Sequence, residues 1–383
     1  MNQHIASSLR REGLTYVGLD VHKDSIAVAV ADATGTRFFG TISNASDQLR
    51  KTLHKLGSPS NLRVCYEAGP CGYAVYRFLT RLKIECAVIA PSLIPKRRGD
   101  RVKTDRRDAL ALAKLLQAGQ LTSVWVPDVE HEALRDLMRA REDAVQDRGR
   151  ARHRLRKFLL RLGIHGPKEF KSSWTIQYRQ WLRSLRWKNE AQQHVFSEYF
   201  HTVEEADARI DRYVAMIKLA AQKSPQAFLI AAYQALHGVE LVTAATLVAE
   251  IGDIQRFKTA PQLMAFLGLV PSENSSGGRT QRGSITKSGN THARKILTEA
   301  AWQFRHKARL SAALRKRRAG LPVEICHIAD RAHQRLNNRY RRFIARGKNK
   351  QQTVVAIARE LVGFIWAIGH MAHTTAPSLR KAA

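Results

Sequence analysis

Between Thr15 and Gly119 the chain alternates short β-rich runs with helical ones in an order that few architectures accept. TYVGLDV (Thr15 to Val21), SIAVAVAD (Ser25 to Asp32) and RFFGTI (Arg37 to Ile42) are apolar, β-branched or aromatic segments separated by the turn-sized gaps HKD and ATGT, so they predict three antiparallel strands. A helix is expected over Ser46 to Leu56, with Ser46 as a candidate N-cap and Leu49, Leu53 and Leu56 at helical spacing. There follow a strand, LRVCYEA, a helix from about Tyr73 to Leu82, and a strand, ECAVIA. The basic loop PSLIPKRRGDRVK then leads into the helix TDRRDALALAKLLQAG. The resulting order is βββαβαβα.

That order is the one of the RNase H-like (RuvC-like) fold, in which active-site carboxylates collect at the ends of central strands and on the last helix. An α/β RNase H-like domain is therefore expected over residues 1–125. Asp20 ends an apolar β-run, where neither strand propensity nor burial favours an acid, and so it needs a compensating cation or hydrogen bonds. Glu67 closes the next interior strand in the same manner. Asp105 and Asp108 stand three apart at the start of a helix capped by Thr104 and project from one face. Each acid has an ordinary explanation, and acids in a first helical turn complement the helix dipole. Together, at these positions, the four fit a two-metal site in which Mg²⁺, or Mn²⁺ in its place, flanks a scissile phosphate.

The rest of the chain is built to meet anions. Its 64 Lys and Arg against 32 Asp and Glu leave a net charge of +32, an electrostatic footprint for nucleic acid. The longest apolar run, Leu361 to Gly369, is too short to span a bilayer, and the amino terminus has no apolar signal core. The expected setting is the bacterial cytoplasm, in association with the nucleoid and with no membrane partner. Cys65, Cys71, Cys86 and Cys326 form no CxxC pair and read as reduced core thiols.

From residue 126 to 228 the pattern becomes helical and strongly basic, which predicts a long antiparallel helical pair or coiled coil. Acids are nearly absent from Arg148 to Arg161, leaving those arginines without intrahelical partners; they are candidates for RNA or DNA contact, or for a solvated face. WTIQYRQWLRSLRW (Trp174 to Trp187) interleaves aromatics with Arg and can either stack bases or form core. A third unit, 229–325, begins with LHGVELVTAATLVAEIGDIQRF, similar to a helix-hairpin-helix element turning at His237 and Gly238, whose second helix can face a backbone phosphate. A polar, glycine-rich loop, PSENSSGGRTQRGSITKSGN, follows. Basic helices make up a tail over 326–383.

The motifs GLDVHKD (Gly18 to Asp24), YEAGPCGY (Tyr66 to Tyr73), KTDRRDALALA (Lys103 to Ala113), GVELVTAATLVAEIG and FLGLVPSENSSGG carry a family resemblance over nearly the whole chain. The chain resembles insertion-sequence transposases, bridge-RNA-guided recombinases among them, that pair an Asp-Glu-Asp-Asp (DEDD) junction-resolvase-like domain with a mainly α-helical carboxy-terminal transposase domain bearing a serine. The resemblance implies that Asp20, Glu67, Asp105 and Asp108 hold metal while a serine attacks and becomes linked to DNA. It places that serine at Ser276, with the adjacent Ser275 as rival. It further implies a 5′-phosphoserine intermediate, a structured noncoding guide RNA, and homodimers that assemble into tetramers. By position, Lys96, Arg97, Arg98, Arg101 and Lys103 are candidates for nucleic-acid backbone contact, and Arg279, Arg282 and Lys287 for neutralising a phosphate. Two other readings stay open: a metal-dependent junction-resolving nuclease in which water attacks, and a nucleic-acid-binding protein without catalysis.

Overall fold

The computed structural model describes residues 13–95, 104–170, 172–307 and 309–382, with side chains in the final helix as far as Thr375. Contacts group the chain into two units, Met1–Pro127 and Asp128–Ala383.

In the first unit, β1 (Thr15–Val21), β2 (Ser25–Asp32) and β3 (Gly35–Ser43) form an antiparallel meander. They are followed by α1 (Ser46–Leu56), β4 (Leu62–Glu67), α2 (Ala74–Arg81), β5 (Glu85–Ile89) and α3 (Asp105–Gln117). The strand order across the sheet is β3-β2-β1-β4-β5, with β4 parallel to β1 and β5 parallel to β4. The expected succession βββαβαβα is the one observed, in a mixed sheet. β3 starts earlier than RFFGTI because Gly35 and Thr36 pair with Asp32 and Ala31 to close the hairpin. Ser46 is not the cap of α1: Ala45 occupies that position and no side chain caps the helix.

Side chains alternate between the sheet's two faces, and the two faces carry different sizes of residue. Val17, Leu19, Ile26, Val28, Val64, Tyr66 and Val88 pack with Leu49 and Leu53 of α1 and Val75 and Leu79 of α2. The opposite face is lined by Ala27, Ala29 and Ala31, which meet Ala109 and Ala113 of α3, and by Cys65 and Ile89, which meet Leu112 and Leu116. Small residues on both sides let α3 lie close to the sheet. At Gly18 the approach is closest: a Cβ there would sit 2.4 Å from the Ala109 carbonyl oxygen and 2.5 Å from the Ala113 nitrogen. The four cysteines are free thiols, and burial pushes Cys86 up to about 12, in keeping with a core role.

The second unit is mostly helical. α4 (Val129–Arg161), α5 (Ile176–Ser184) and α6 (Glu190–Lys223) come first, and Phe158 meets Tyr199 while Arg148 meets Asp207, so α4 and α6 run antiparallel as expected. At the end where α5 lies, Trp174, Trp181 and Trp187 pack around Leu155, Phe158, Leu182 and Phe200. The aromatics of the Trp174 to Trp187 stretch are thus core. Asp207 gathers Arg148, Arg152 and Arg179 at 3.2, 2.9 and 2.7 Å. Burial alone would raise this carboxyl, but the hydrogen bonds and charges of the arginines outweigh it and hold it below its ordinary value. Asp207→Ala is expected to cost roughly 2 kcal/mol, lowering the melting temperature of this unit by about 4–8 °C. The figure is below that for a fully buried pair, since the three arginine side chains are 22% to 29% exposed. Unchanged thermal unfolding would show that water serves the arginines as well as the carboxylate does.

The remaining elements are α7 (Ala227–Tyr233), α8 (Leu241–Ile251), α9 (Ala260–Phe266), β6 (Pro271–Glu273), β7 (Arg282–Ile285), α10 (Thr291–Ala301), α11 (Ala312–Arg318), α12 (Val323–Ala345) and α13 (Lys350–Ala382). α7 and α8 are joined through His237 and Gly238, where φ is +75° and a Cβ would strike Gln303 and the Ala300 carbonyl. The last carbonyls of α8 are capped from α4 and beyond: His131 Nε2 donates to Val248 O, Arg135 Nε to Ala249 O and Arg256 Nη2 to Ile251 O, at 2.8 to 3.0 Å. By length and composition the stretch Lys350–Thr375 is long and apolar enough to cross a membrane, more than the run Leu361 to Gly369 alone suggests. Its Val354, Ile357, Leu361, Val362, Ile365 and Ile368 are instead buried in the unit's main core, together with residues of α7 to α10 and α12.

Candidate active site: a carboxylate cluster and a serine hairpin

Gly18 and Asp20 are two residues apart on β1 and so share the α3 face of the sheet. Ala109 lies over Gly18, and Asp105 is one helical turn before Ala109. The close approach at Gly18 thereby brings the first turn of α3 to the end of β1. Thr104 caps that turn, its hydroxyl accepting from Arg107 N at 3.3 Å. Glu67 follows Tyr66, which pairs with Leu19, so Glu67 stands beside Asp20 on the neighbouring strand and on the same face.

Among the described residues, donor atoms of Asp20, His22 and Asp105 lie within 4.8 Å of one another. His22 Nε2 is 3.3 Å from an Asp20 carboxylate oxygen and 3.5 Å from one of Asp105. Glu67 and Asp108 are outside that group, although the Asp108 charge is felt at Asp20. Burial raises the Asp20 carboxyl above its ordinary value, His22 opposes this through its charge and hydrogen bond, and Asp105 and Asp108 add to the rise. Converging carboxylates that hinder each other's ionisation are relieved by a divalent cation, and their oxygens suit a hard one, so the residues fit a metal centre. His22 was not among the sequence candidates. It stands two residues after Asp20, just past the end of β1, and Asn44 holds its turn by donating to the His22 carbonyl at 2.7 Å. Lys96, Arg97, Arg98, Arg101 and Lys103 lie outside the described residues.

The serine segment, expected to be a loop, is a β-hairpin. β6 and β7 pair antiparallel, and Ser276 and Arg279 exchange backbone hydrogen bonds of 3.3 and 3.1 Å across Gly277 and Gly278. Both glycines have positive φ, 56° and 79°, the pattern of a type I′ turn. Ser275 is used structurally: its hydroxyl donates to Glu273 Oε1 at 2.9 Å and accepts from Gln281 N at 3.2 Å. The Ser276 hydroxyl is exposed at the tip and has no hydrogen-bond partner among the described residues. Arg279 and Lys287 are exposed, while Arg282 lies 3.5 Å from Glu273.

The hairpin's base is locked. A Cβ at Gly268 would fall 2.1 Å from Ser288 O, and one at Gly289 1.9 Å from Phe266 O, so FLGL and KSGN pass each other with no room for side chains. Beneath them Glu250 receives Arg139 through two hydrogen bonds, 2.9 and 3.0 Å, and Asn290 through one of 2.5 Å. Asn290 in turn caps α10 by accepting from Ala293 N at 2.9 Å.

A family model described as Transposase, of the DEDD type found in IS110 elements, matches residues 17–164, and a second, described as Transposase IS116/IS110/IS902 family, matches 232–315. The y4qE protein of Sinorhizobium fredii is 42% identical over 364 residues, covering 94% of this chain and 90% of that relative. The chain belongs to the IS110/IS116/IS902 family of insertion-sequence transposases. The transposase for insertion sequence element IS1533 of Leptospira borgpetersenii is 32% identical over 332 residues, 85% of this chain and 95% of the relative. That for IS1111A of Coxiella burnetii is 25% identical over 313 residues, 79% and 82% of the two chains. The carboxylate cluster falls in the first matched segment of this transposase and the serine hairpin in the second. The first points to use of a divalent metal, and the family as a whole to a DNA-binding enzyme of transposition.

Proposed function

We propose that this transposase is a site-specific DNA recombinase in which Ser276 is the nucleophile. The observation that carries this reading is the contrast between two neighbouring hydroxyls, Ser275 held by Glu273 and Gln281 and Ser276 exposed at the hairpin tip with no hydrogen-bond partner among the described residues. Asp20, Glu67, Asp105 and Asp108, in an RNase H-like domain, would hold Mg²⁺ or Mn²⁺, which when bound neutralises charge on the scissile phosphate. Ser276 Oγ gives up its proton and bonds to phosphorus, the bond from phosphorus to the 3′ oxygen breaks, and that oxygen leaves as a 3′ hydroxyl. The product is a 5′-phosphoserine, which a second 3′ hydroxyl reverses in strand exchange. Arg279, Arg282 and Lys287 would meet the phosphate. A structured noncoding RNA would choose the DNA by base pairing, leaving backbone contact to the protein, for which the net charge of +32 is suited. The carboxylates of one protomer and the serine of another would act together in a dimer that assembles into a tetramer.

The test uses end-labelled DNA carrying the element junction, with Mg²⁺ and flanking-element RNA, read on denaturing gels for broken strands and protein-linked DNA. Ser276→Ala is expected to lower both products by about a thousandfold or more, as removal of a nucleophile does. Asp20→Asn should do the same while still binding DNA, and Ser275→Ala should keep most of both. Cleavage that survives Ser276→Ala, with no adduct in the parent, would establish the junction-resolving nuclease that uses water. Equal inactivity of parent and Asp20→Asn would establish the non-catalytic binder.

A further inference from the structure

The second unit contains a cavity of about 480 Å³ at the far end of the helical pair, between the close of α4, the connection after it and the start of α5. Its volume is within the range of roughly 300–1,000 Å³ typical of small-molecule sites, room for one nucleotide. His153, Arg156, Lys157 and His165 line it, and no Asp or Glu does among the described residues. The apolar part of the lining is Leu160, one helical turn on from Arg156 and Lys157 on α4, together with Phe170 and Tyr178. Leu160 is 52% exposed, an uncovered aliphatic side chain amid cations. Gly166 closes the rim against the Tyr178 and Trp181 rings, where a Cβ would come within 3.2 Å of Tyr178.

The arginines of this region divide into two sets. Arg148 and Arg152 are neutralised by Asp207, and Arg150, contrary to the expectation of no intrahelical partner, by Asp147 one turn before it, whereas Arg156 and Lys157 have no carboxylate partner among the described residues. No acid occurs in the sequence from Arg148 to Lys168, and the next, Glu169, is exposed and is not among the residues lining the cavity. A part-apolar, part-cationic pocket at the end of a basic helix matches a base and its phosphate within a polyanion. We propose that this cavity receives one unstacked nucleotide of a nucleic-acid strand, the base against Leu160 and the aromatic wall and the phosphate against Arg156 and Lys157. A bulged RNA nucleotide and one extruded from DNA offer the same chemistry. The proposal goes beyond the recombinase reading, since binding at this site does not depend on which group attacks phosphorus.

Full-length protein would be titrated, in buffer with EDTA to prevent cleavage, against fluorescent RNA hairpins with and without a single-nucleotide bulge and against their DNA counterparts. The parent is expected to bind the bulged form of one polymer about tenfold more tightly than the paired form, the size of a stacking contribution from one base. That polymer identifies the source. The double variant Arg156→Gln/Lys157→Gln, and separately the exposed-site variant Leu160→Ser, should lose the preference. Arg154→Gln, outside the cavity, should weaken bulged and paired probes equally and keep it. A parent that binds both forms alike, or a preference that survives Leu160→Ser and the double variant, overturns the proposal. So does an equal loss of preference in Arg154→Gln, which would make the effect one of general charge.

Discussion

Gly18→Val is expected to lower strand cleavage by about a hundredfold or more at temperatures where the variant is still folded, the scale of an angstrom-sized misplacement at a reacting centre. The added carbons have nowhere to go. A Cβ at Gly18 would lie 2.4 Å from Ala109 O, 2.5 Å from Ala113 N and 2.9 Å from Leu112 Cβ, and none of these is the far end of a flexible side chain. α3 must therefore lift from the sheet, at a stability cost of about 1–3 kcal/mol for an overpacked contact. Asp105 rides on the same helix, one turn before Ala109, so the lift carries it away from Asp20 and His22. The control is Val17→Ala, which makes a hole on the opposite face among Leu49, Val75 and their neighbours. It should lose a comparable amount of stability and keep cleavage. Single-turnover cleavage and thermal unfolding of both variants decide the matter: equal loss of activity in the two would mean that α3's distance from the sheet does not set the site.

This dependence on a glycine shows which parts of the site were legible in the sequence. β1 and β2 could be read to the residue because their apolar runs are long and bounded by turn residues, and the Thr104 cap marked the start of α3. The placing of Asp20 and Glu67 at strand ends and of Asp105 and Asp108 in the first turn of α3 followed from those elements, whereas the cluster itself, among the described residues, joins only Asp20 and Asp105, with His22. His22 could not be singled out, since its meaning depends on Asp105, 83 positions later, arriving over the end of β1. The serine hairpin was hidden for a different reason. Its strands are three and four residues long and polar, so composition reads as loop, whereas the order is imposed by backbone pairing across Gly277–Gly278 and by contacts at Gly268 and Gly289. The arginines of α4 were ambiguous because the carboxylate that neutralises some of them, Asp207, comes from a helix more than 50 positions away.

Glu250→Ala is expected to destabilise the second unit by about 3 kcal/mol, a fall in melting temperature of roughly 6–12 °C. The Glu250 side chain is 1% exposed, and its two oxygens are shared by Arg139 and Asn290. Arg139 is 46% exposed and regains some hydration, which keeps the loss at the lower end of that for a broken buried pair. Asn290, half-buried, loses the acceptor for its Nδ2 while its Oδ1 stays committed to the cap of α10. Its shift would loosen the base of the hairpin, so formation of the Ser276 adduct should slow along with the loss of stability. Glu250→Gln keeps the shape and an acceptor for Asn290 and should cost less. The two also separate by pH. Burial acts to raise the Glu250 carboxyl, but the hydrogen bonds of Arg139 and Asn290 and the charges of Arg139 and Arg135 outweigh it, leaving the group below its ordinary value. A carboxyl depressed on folding stabilises the protein above its unfolded value, near about 4.3, and that contribution is lost as pH falls below it. The parent's margin over Glu250→Gln should therefore be full at neutral pH and shrink as the pH drops below about 4.3. Calorimetric melts of both proteins from neutral to acid pH measure this directly, and a margin that stays constant with pH would show that the carboxylate charge plays no part in holding the hairpin.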